Sequence, residues 1–436
     1  MSNSHPLDHR PMTWRQMVVI AITVALNALD GFDVLSISFA SPGIAADWGI
    51  GRGALGIVLS MELVGMALGS VVLGRMGDWA GRKPTMLVSL VFMAVGMILA
   101  STATDISSLS AYRIVTGVGI GGMLAVTNAV ASEMSNRKFR GLAVSMMVIG
   151  YPVGAILGGL VVAQLLQTSG WQIIFEFGAV VTAVMIPIVW LAVPETPAFH
   201  LARRKTDAVD RINRSLARLG HHPISDVSLP AETQASARGI SGLFAGDVRR
   251  TTLLLTIAYF TQIITFYFIL KWTPKIVTDL GFTASLAAGV LVWANVGGAL
   301  GGAIWGLAAT RVPIRNLSLV TFLASATMVT VFGTFGVDLD SLSLLAALGG
   351  FCTNAGMVAL YNLAAQGFPD RVRATGTGFI IGVGRGGAVL GPIAAGYLFE
   401  SGASLPTVAA IMASGSLLAL AAVAFLRLEN RQAVAN

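Results

Sequence analysis

VVIAITVALNALDGFDVLSISFA, residues 18 to 40, is an apolar run long enough to cross a bilayer, yet it carries two carboxylates, Asp30 and Asp33. A helix rises about 1.5 Å per residue and the hydrocarbon core is roughly 30 Å thick, so about 20 apolar residues span it. Twelve windows of that kind recur along the chain, at approximately 16–40, 53–73, 84–103, 107–131, 140–166, 171–193, 251–278, 284–309, 316–336, 341–365, 374–399 and 404–426. The chain is 55% hydrophobic and 11% charged, against roughly a quarter charged in soluble domains. Lipid offers the backbone no hydrogen-bond partner, so each span is predicted to be helical; the alternation of a β-barrel is absent. The reading is an all-α integral membrane protein with 12 transmembrane helices.

The net charge of +7 does not point to nucleic acid, because the cations follow the topology. Of 28 Lys and Arg, 23 fall in the tails and even-numbered loops, and only Arg52, Lys271 and Lys275 fall in or beside the odd-numbered loops. By the positive-inside rule both termini and the long central loop are cytoplasmic. Arg113 and Arg385 lie within spans. The first apolar run leads into aspartates rather than to a small-residue cleavage site, so it is read as a span and not as a signal peptide. The single cysteine, Cys352, matches no disulfide or metal spacing. No metal or cofactor is expected, and without a nucleophile–base cluster neither is enzymatic activity.

Residues 194–250 form the one long polar segment and divide the chain into bundles at 1–193 and 251–436. Within the segment, FHLARRKTDAVDRINRSLARLG (199–220) places Val209, Ile212, Leu216 and Leu219 on one helical face opposite several arginines. That pattern predicts an amphipathic helix lying on the inner membrane surface or on the bundle. The two halves match at a shift of 233 residues: SEMSNRKFRG (132–141) aligns with AQGFPDRVRA (365–374), and YPVGAILGG (151–159) with GRGGAVLGP (384–392). Two six-helix pseudo-repeats are a transporter signature, with substrate bound near the midplane between the repeats. The same register sets Pro152 against Arg385, and Asp30 and Asp33 against Ile263 and Phe266, so charge is distributed asymmetrically. GVGIGG (117–122) and GVGRGG (382–387) satisfy G-x-G-x-x-G, but neither follows a strand, as dinucleotide binding requires. Small residues in spans instead allow close helix approach.

GRMGDWAGRK, Gly74 to Lys83, resembles the major facilitator superfamily signature G-x-x-x-D-R-x-G-R-K, with Trp79 where the family has Arg. GAIWGLAATRVPIR (302–315) is a degenerate echo of it. SEMSNRKFRG and VPETPAFHL (193–201) resemble the elements that follow spans four and six in the same superfamily. DGFD in span one resembles the D-G-x-D motif of the aromatic acid:H+ symporters, and FPDRVRATGTGFIIGVGRGGAVLGP (368–392) resembles the span ten to eleven region of that group. The resemblance covers the whole chain. It implies the major facilitator fold in a bacterial inner membrane, a small aromatic acid and a proton as ligands, and roles for Asp30, Asp33, Arg113, Glu133 and Arg385.

Helical rise places these charges in depth. Asp30 comes about 10 Å below the outer surface of the core and Arg113 roughly 9 Å, while Glu62 comes at roughly 14 Å and Arg385 near the midplane. Asp30 is therefore expected to pair with Arg113, and two acids facing one arginine leave one acid in surplus for a proton. Intramembrane ionisable groups cost about 2.5 to 3.5 kcal/mol on insertion scales and are functional hypotheses by default. Asn27 shares the face of Asp30 and Asp33 and is a candidate substrate contact. His5, His9, His200, His221 and His222 all lie in tails or the central loop, so an embedded proton site must be a carboxylate, with Glu62 as the rival.

The expected function is proton-coupled uptake of a benzoate-like or hydroxybenzoate-like carboxylate by alternating access, by a monomer. Arg385 is the first candidate for the substrate carboxylate and Arg113 the second, because a guanidinium matches a carboxylate bidentately. Phe266, Tyr267, Tyr361 and Asn362 are candidate ring and hydroxyl contacts. The gate is expected around Gly74, Asp78, Gly81, Arg82 and Lys83, with Glu133 paired to Arg82 or Arg140, and Arg373 as the counterpart of Arg140 in the second half. Proton-driven efflux of an amphipathic compound and a transporter-like receptor for aromatic acids are the alternative readings.

Overall fold

The computed structural model describes residues 6–203, 207–224, 240–246, 248–335, 338–369 and 372–426. Arg204, Lys205, Arg238, Arg371, Arg427 and Arg431, counted above among the topology-setting cations, lie outside them.

Each apolar window becomes a helix long enough to cross a membrane, twelve among the described residues. Six come before the central loop: α1 (Trp14–Trp48), α2 (Arg52–Trp79), α3 (Arg82–Ser101), α4 (Ile106–Glu133), α5 (Arg140–Leu165) and α6 (Gln172–Ala192). Two short helices follow, α7 (Pro197–Ala202) and α8 (Ala208–Leu219). The second six are α9 (Val248–Asp279), α10 (Ala284–Ala308), α11 (Ile314–Phe335), α12 (Leu339–Gly367), α13 (Arg373–Glu400) and α14 (Leu405–Ala424). Side chains start several of them: Asp105 accepts from the Ser107 and Ser108 amides at the head of α4, Thr283 accepts from Leu286 before α10, and Asp338 accepts from Ser341 before α12. Pro42, Pro152, Pro187, Pro274 and Pro392 stand inside helices, which spans tolerate when neighbours satisfy the freed carbonyl. Ser41 Oγ, for example, donates at 2.9 Å to the Ser38 carbonyl, the one that Pro42 frees.

The chain divides into two units. The first comprises Met1–Ser36, Met61–Val161 and Ser169–Thr233. In it α3 packs against α4 and α6, and glycines bring α2 onto α4: a Cβ on Gly69 would strike the Val118 carbonyl, and one on Gly117 the Glu62 carbonyl. GVGIGG is thus a helix-packing surface. Helix α8 lies on this unit, with Ile212, Leu216 and Leu219 buried and Val209 half-buried. Thr13 Oγ1 donates to the Leu219 carbonyl at 2.7 Å and Arg15 Nη1 to that of Arg218 at 3.1 Å. A seat on the bundle is one of the two expected for the amphipathic helix.

The second unit comprises Ile37–Ser60, Val162–Thr168 and Gln234–Asn436. Helix α9 packs against α12, α13 and α14, and α10 against α12. Gly350, the repeat counterpart of Gly117, closes on the Ala294 carbonyl as Gly117 closes on that of Glu62. The end of α1 and the start of α2 belong to this unit: Ser60 Oγ donates to the Val389 carbonyl at 2.7 Å, and Arg52 pairs with Asp279 at 2.8 Å.

Candidate functional site

Within the first unit, Asp30, Asp33, Glu62 and Arg113 are all fully buried. Arg113 uses its guanidinium in several directions. Nη2 lies 2.6 Å from Glu62 Oε2 and donates to the Asp33 backbone carbonyl at 2.9 Å, Nη1 points at Met97 Sδ at 3.1 Å, and the plane sits 5.3 Å from the Phe175 ring centre. The expected Asp30–Arg113 pair is therefore replaced by a Glu62–Arg113 pair. Both groups are long enough to bridge a difference in depth, and the glycine contacts between α2 and α4 hold them on facing surfaces. The four carboxyl oxygens of Asp30 and Asp33 have no hydrogen-bond partner among the described residues. A buried, ionised carboxylate with no donor is very costly, so this geometry favours the protonated form.

Close helix approach fixes the aspartates. A Cβ on Gly154 would strike the Ala28 carbonyl and one on Gly31 the Tyr151 carbonyl, so α1 and α5 touch backbone to backbone. Asn27 Nδ2 donates to the Met147 carbonyl at 2.8 Å. Asn27, expected as a substrate contact, thus serves that helix junction. Gly178 on α6 faces Asp33: a Cβ there would stand 3.4 Å from Asp33 Oδ1.

The second unit holds a separate cluster. Tyr259 on α9 and Tyr361 on α12 place their hydroxyl oxygens 3.1 Å apart, with rings edge to face at 5.9 Å. The charge of Arg385 on α13 and the Tyr267 hydroxyl both act on the Tyr259 hydroxyl. Gly384 makes room for this, because a Cβ there would enter the Tyr259 ring. Phe266 and Tyr267 are edge to face at 5.4 Å, and Tyr361 is 46% exposed. Asn362 Nδ2 donates to the Val358 carbonyl of its own helix at 2.9 Å. Tyr259 was not among the expected contacts. Its signal was its spacing, seven residues before Phe266 on one helix face.

The third cluster surrounds Arg82. Its Nη1 donates to Asp78 Oδ1 at 2.9 Å and to the Gly77 carbonyl at 2.6 Å, and Nη2 meets Glu133 Oε1 at 3.0 Å. Thr196 Oγ1 donates to the other Glu133 oxygen. Glu195, which was not expected here, accepts from the Arg82 and Thr196 amides through Oε1 and from the Lys83 amide through Oε2. Burial nevertheless raises the Glu195 carboxyl above its usual value. Gly81 has φ +119, and a Cβ there would meet the Glu195 carboxylate, so glycine is required twice over. Gly74 faces Ala125 on α4. Of the two partners expected for Glu133, Arg82 is observed. Arg140 pairs instead with Asp8, in the segment before α1. Arg373 opens α13, half-buried.

A sequence profile of the Major Facilitator Superfamily matches residues 23–338 and 255–436. The chain belongs to the Major Facilitator Superfamily. It is 28% identical to the gallate transporter of Pseudomonas putida over 98% of this chain and 96% of that protein. It is 29% identical to the 3-(3-hydroxy-phenyl)propionate transporter of Escherichia coli K12 over 96% of each. Among solved structures, the partially occluded, inward-open xylose transporter XylE from E. coli superposes with a TM-score of 0.75 at 14% identity, covering 96% of this chain and 99% of that one.

As a superfamily member the protein is a membrane transporter and not an enzyme, multi-pass in the bacterial inner membrane. The superfamily signature at Gly74–Lys83 is the stretch that forms the Arg82 cluster. At the departure from it, Trp79 is 62% exposed, and its backbone carbonyl accepts from Arg203 Nη1 at 2.6 Å. Arg203, just past α7, thus brings a guanidinium to the end of α2, at the residue where the chain departs from the signature.

Proposed function

We propose that this transporter imports a small aromatic carboxylate together with a proton by alternating access. The carrying observation is the pair of fully buried aspartates, Asp30 and Asp33, whose carboxyl oxygens lack hydrogen-bond partners beside an arginine that is already engaged. Such carboxyls are suited to holding a proton in one part of the cycle and losing it in another. The relatives named above supply the substrate class, since both are named for acids that join a carboxylate to a hydroxylated ring.

Arg385 is the proposed carboxylate partner, with Tyr259, Tyr267, Tyr361 and Phe266 offering hydroxyls and ring edges. Hydrogen-bonding hydroxyls discriminate hydroxylated rings from bare ones more sharply than apolar contact does. Asp78, Arg82 and Glu133 are proposed as a latch that breaks and reforms during the cycle. In this reading residues 1–193 and 251–436 are the two transport bundles, the termini are cytoplasmic, and the protein works as a monomer.

The test is uptake of a radiolabelled panel of gallate, benzoate, hydroxybenzoates and hydroxyphenylpropionates into proteoliposomes with an imposed inward proton gradient. Accumulation should collapse with a protonophore. It should be lost in Asp30→Asn and in Asp33→Asn, with at least one of them retaining exchange down a gradient. Enhanced exclusion of the compound would establish efflux instead, and binding without counterflow would establish a receptor.

A further inference from the structure

We propose that Glu62 is the alternate counter-ion and second proton station of this transporter, exchanging Arg113 with Asp33. The proposal deepens the proton-carrier reading above and uses the same buried cluster. Its groups are Asp30 and Asp33 on α1, Glu62 on α2 and Arg113 on α4, all fully buried. The other helices that face the guanidinium contribute neutral groups, Met97 from α3 and Phe175 from α6; Glu176, the acid next along α6, is exposed.

Three acids share one cation, so a neutral cluster holds one ionised carboxylate and two protonated ones. The observed geometry fits Glu62 as the ionised one, with Arg113 Nη2 at 2.6 Å from it. The same nitrogen already touches the residue that would replace it, the Asp33 backbone carbonyl at 2.9 Å, and the charge of Arg113 acts on the Asp33 carboxyl. Beside Asp33 Oδ1 the glycine at 178 makes room for the flexible end of Met97, whose Cε occupies the place a Cβ would take, so the neighbour that must yield when Asp33 turns is a mobile side chain and not backbone.

The exchange is balanced. One proton passes from the Asp33 carboxyl to the Glu62 carboxylate, and Arg113 moves from Glu62 to Asp33. Asp30 keeps its proton, and the net charge of the cluster stays at zero throughout. Moving a proton from α1 to α2 in this way avoids the cost of an uncompensated charge in lipid.

The test uses purified full-length protein in lipid nanodiscs without substrate, so it stands or fails independently of which compound is carried. Thermal midpoints are measured for Glu62→Gln, Asp33→Asn and the double variant. If either acid can serve Arg113, each single variant remains folded with a modest loss, and the double loses more than the sum of the two. Additive losses, or a Glu62→Gln protein as damaged as the double, would overturn the exchange. Infrared spectroscopy gives a readout that a purely structural role would not move. The protonated-carboxyl band assigned to Asp33, by its absence in Asp33→Asn, should be present at neutral pH in the parent protein and lost in Glu62→Gln, where Asp33 must ionise to balance Arg113. Persistence of that band in Glu62→Gln would refute the proposal.

Discussion

Arg82, at the head of α3, meets Glu133, at the end of α4, at 3.0 Å, and both side chains are less than one-fifth exposed. The same guanidinium also holds Asp78, but there the partner side chain is 78% exposed. The two ion pairs therefore differ in worth, because water screens the second and not the first. Glu133→Gln also weakens the acceptor for the Thr196 hydroxyl. It is expected to lower stability by about 1.5–3 kcal/mol, the range for a lost hydrogen bond to a charged group. Asp78→Asn is expected to cost less than about 1 kcal/mol. Thermal unfolding in detergent, run on both variants together, checks the ranking; equal losses would contradict it.

The contact of α1 with α5 makes a second prediction. A methyl group on Gly154 has only the Ala28 carbonyl to meet, and backbone cannot yield as a flexible side chain can. Gly154→Ala is expected to cost about 1–3 kcal/mol by overpacking and to displace the turn that carries Asp30. Gly289 on α10 is the control, since a Cβ there meets nothing within 4 Å. Gly289→Ala should be neutral or stabilising by up to about 1 kcal/mol, as helix propensity dictates. Thermal midpoints of the two variants decide the matter.

Hydropathy alone located all twelve spans, because a run of apolar residues bounded by loops has one outcome in lipid. The ends were less legible: α1 continues to Trp48 rather than stopping near 40, carrying Pro42 within it. The face of α8 was readable from Ile212, Leu216 and Leu219. The partner of Arg113 was not. Helical rise fixes depth, but which side chains meet also depends on rotation about each axis and on which helices are neighbours. Those are set by the glycine contacts that bring α2 onto α4. Tyr259 was hidden for a related reason: its repeat counterpart is Leu26, so the internal alignment gave it no prominence. Glu195 lay inside a recognised motif, yet its acceptance of three backbone amides depends on a chain reversal that sequence does not display.

His200 supplies a pH dependence outside the spans. Burial first, then the cations Arg211 and Arg214, hold its imidazole below the ordinary value of 6.5. A group whose folded value is depressed binds its proton more readily when unfolded. The stability contributed by neutral His200 is therefore full above 6.5 and declines as the pH falls through that value towards the folded one. Replacing His200 with Gln should flatten the acid side of the stability profile below about 6.5, leaving the alkaline side unchanged. Thermal midpoints across the pH range test the slope, and a proton NMR titration of His200 tests its cause.

The tyrosine pair and Arg385 predict a division of labour in substrate recognition. Arg385→Lys keeps the charge and loses the planar fork, so a carboxylate held at two points is held at one. The expected effect is a rise in KM of roughly tenfold, about 1.4 kcal/mol, with the maximal rate little changed. Tyr259 is nearly fully buried, while Tyr361, its hydroxyl partner at 3.1 Å, is 46% exposed. Removing the Tyr361 hydroxyl strands the buried one on Tyr259, whereas removing the Tyr259 hydroxyl leaves that of Tyr361 open to water or substrate. Tyr361→Phe should therefore also cost stability, by about 1–3 kcal/mol for an unsatisfied buried group, while Tyr259→Phe should act on substrate selection. The measurement is uptake of hydroxylated against unhydroxylated benzoates in each variant. A changed preference for the hydroxylated ring in Tyr259→Phe is the expected result, because the freed Tyr361 hydroxyl then bonds the substrate without competition, and an unaltered preference would remove the pair from the recognition site.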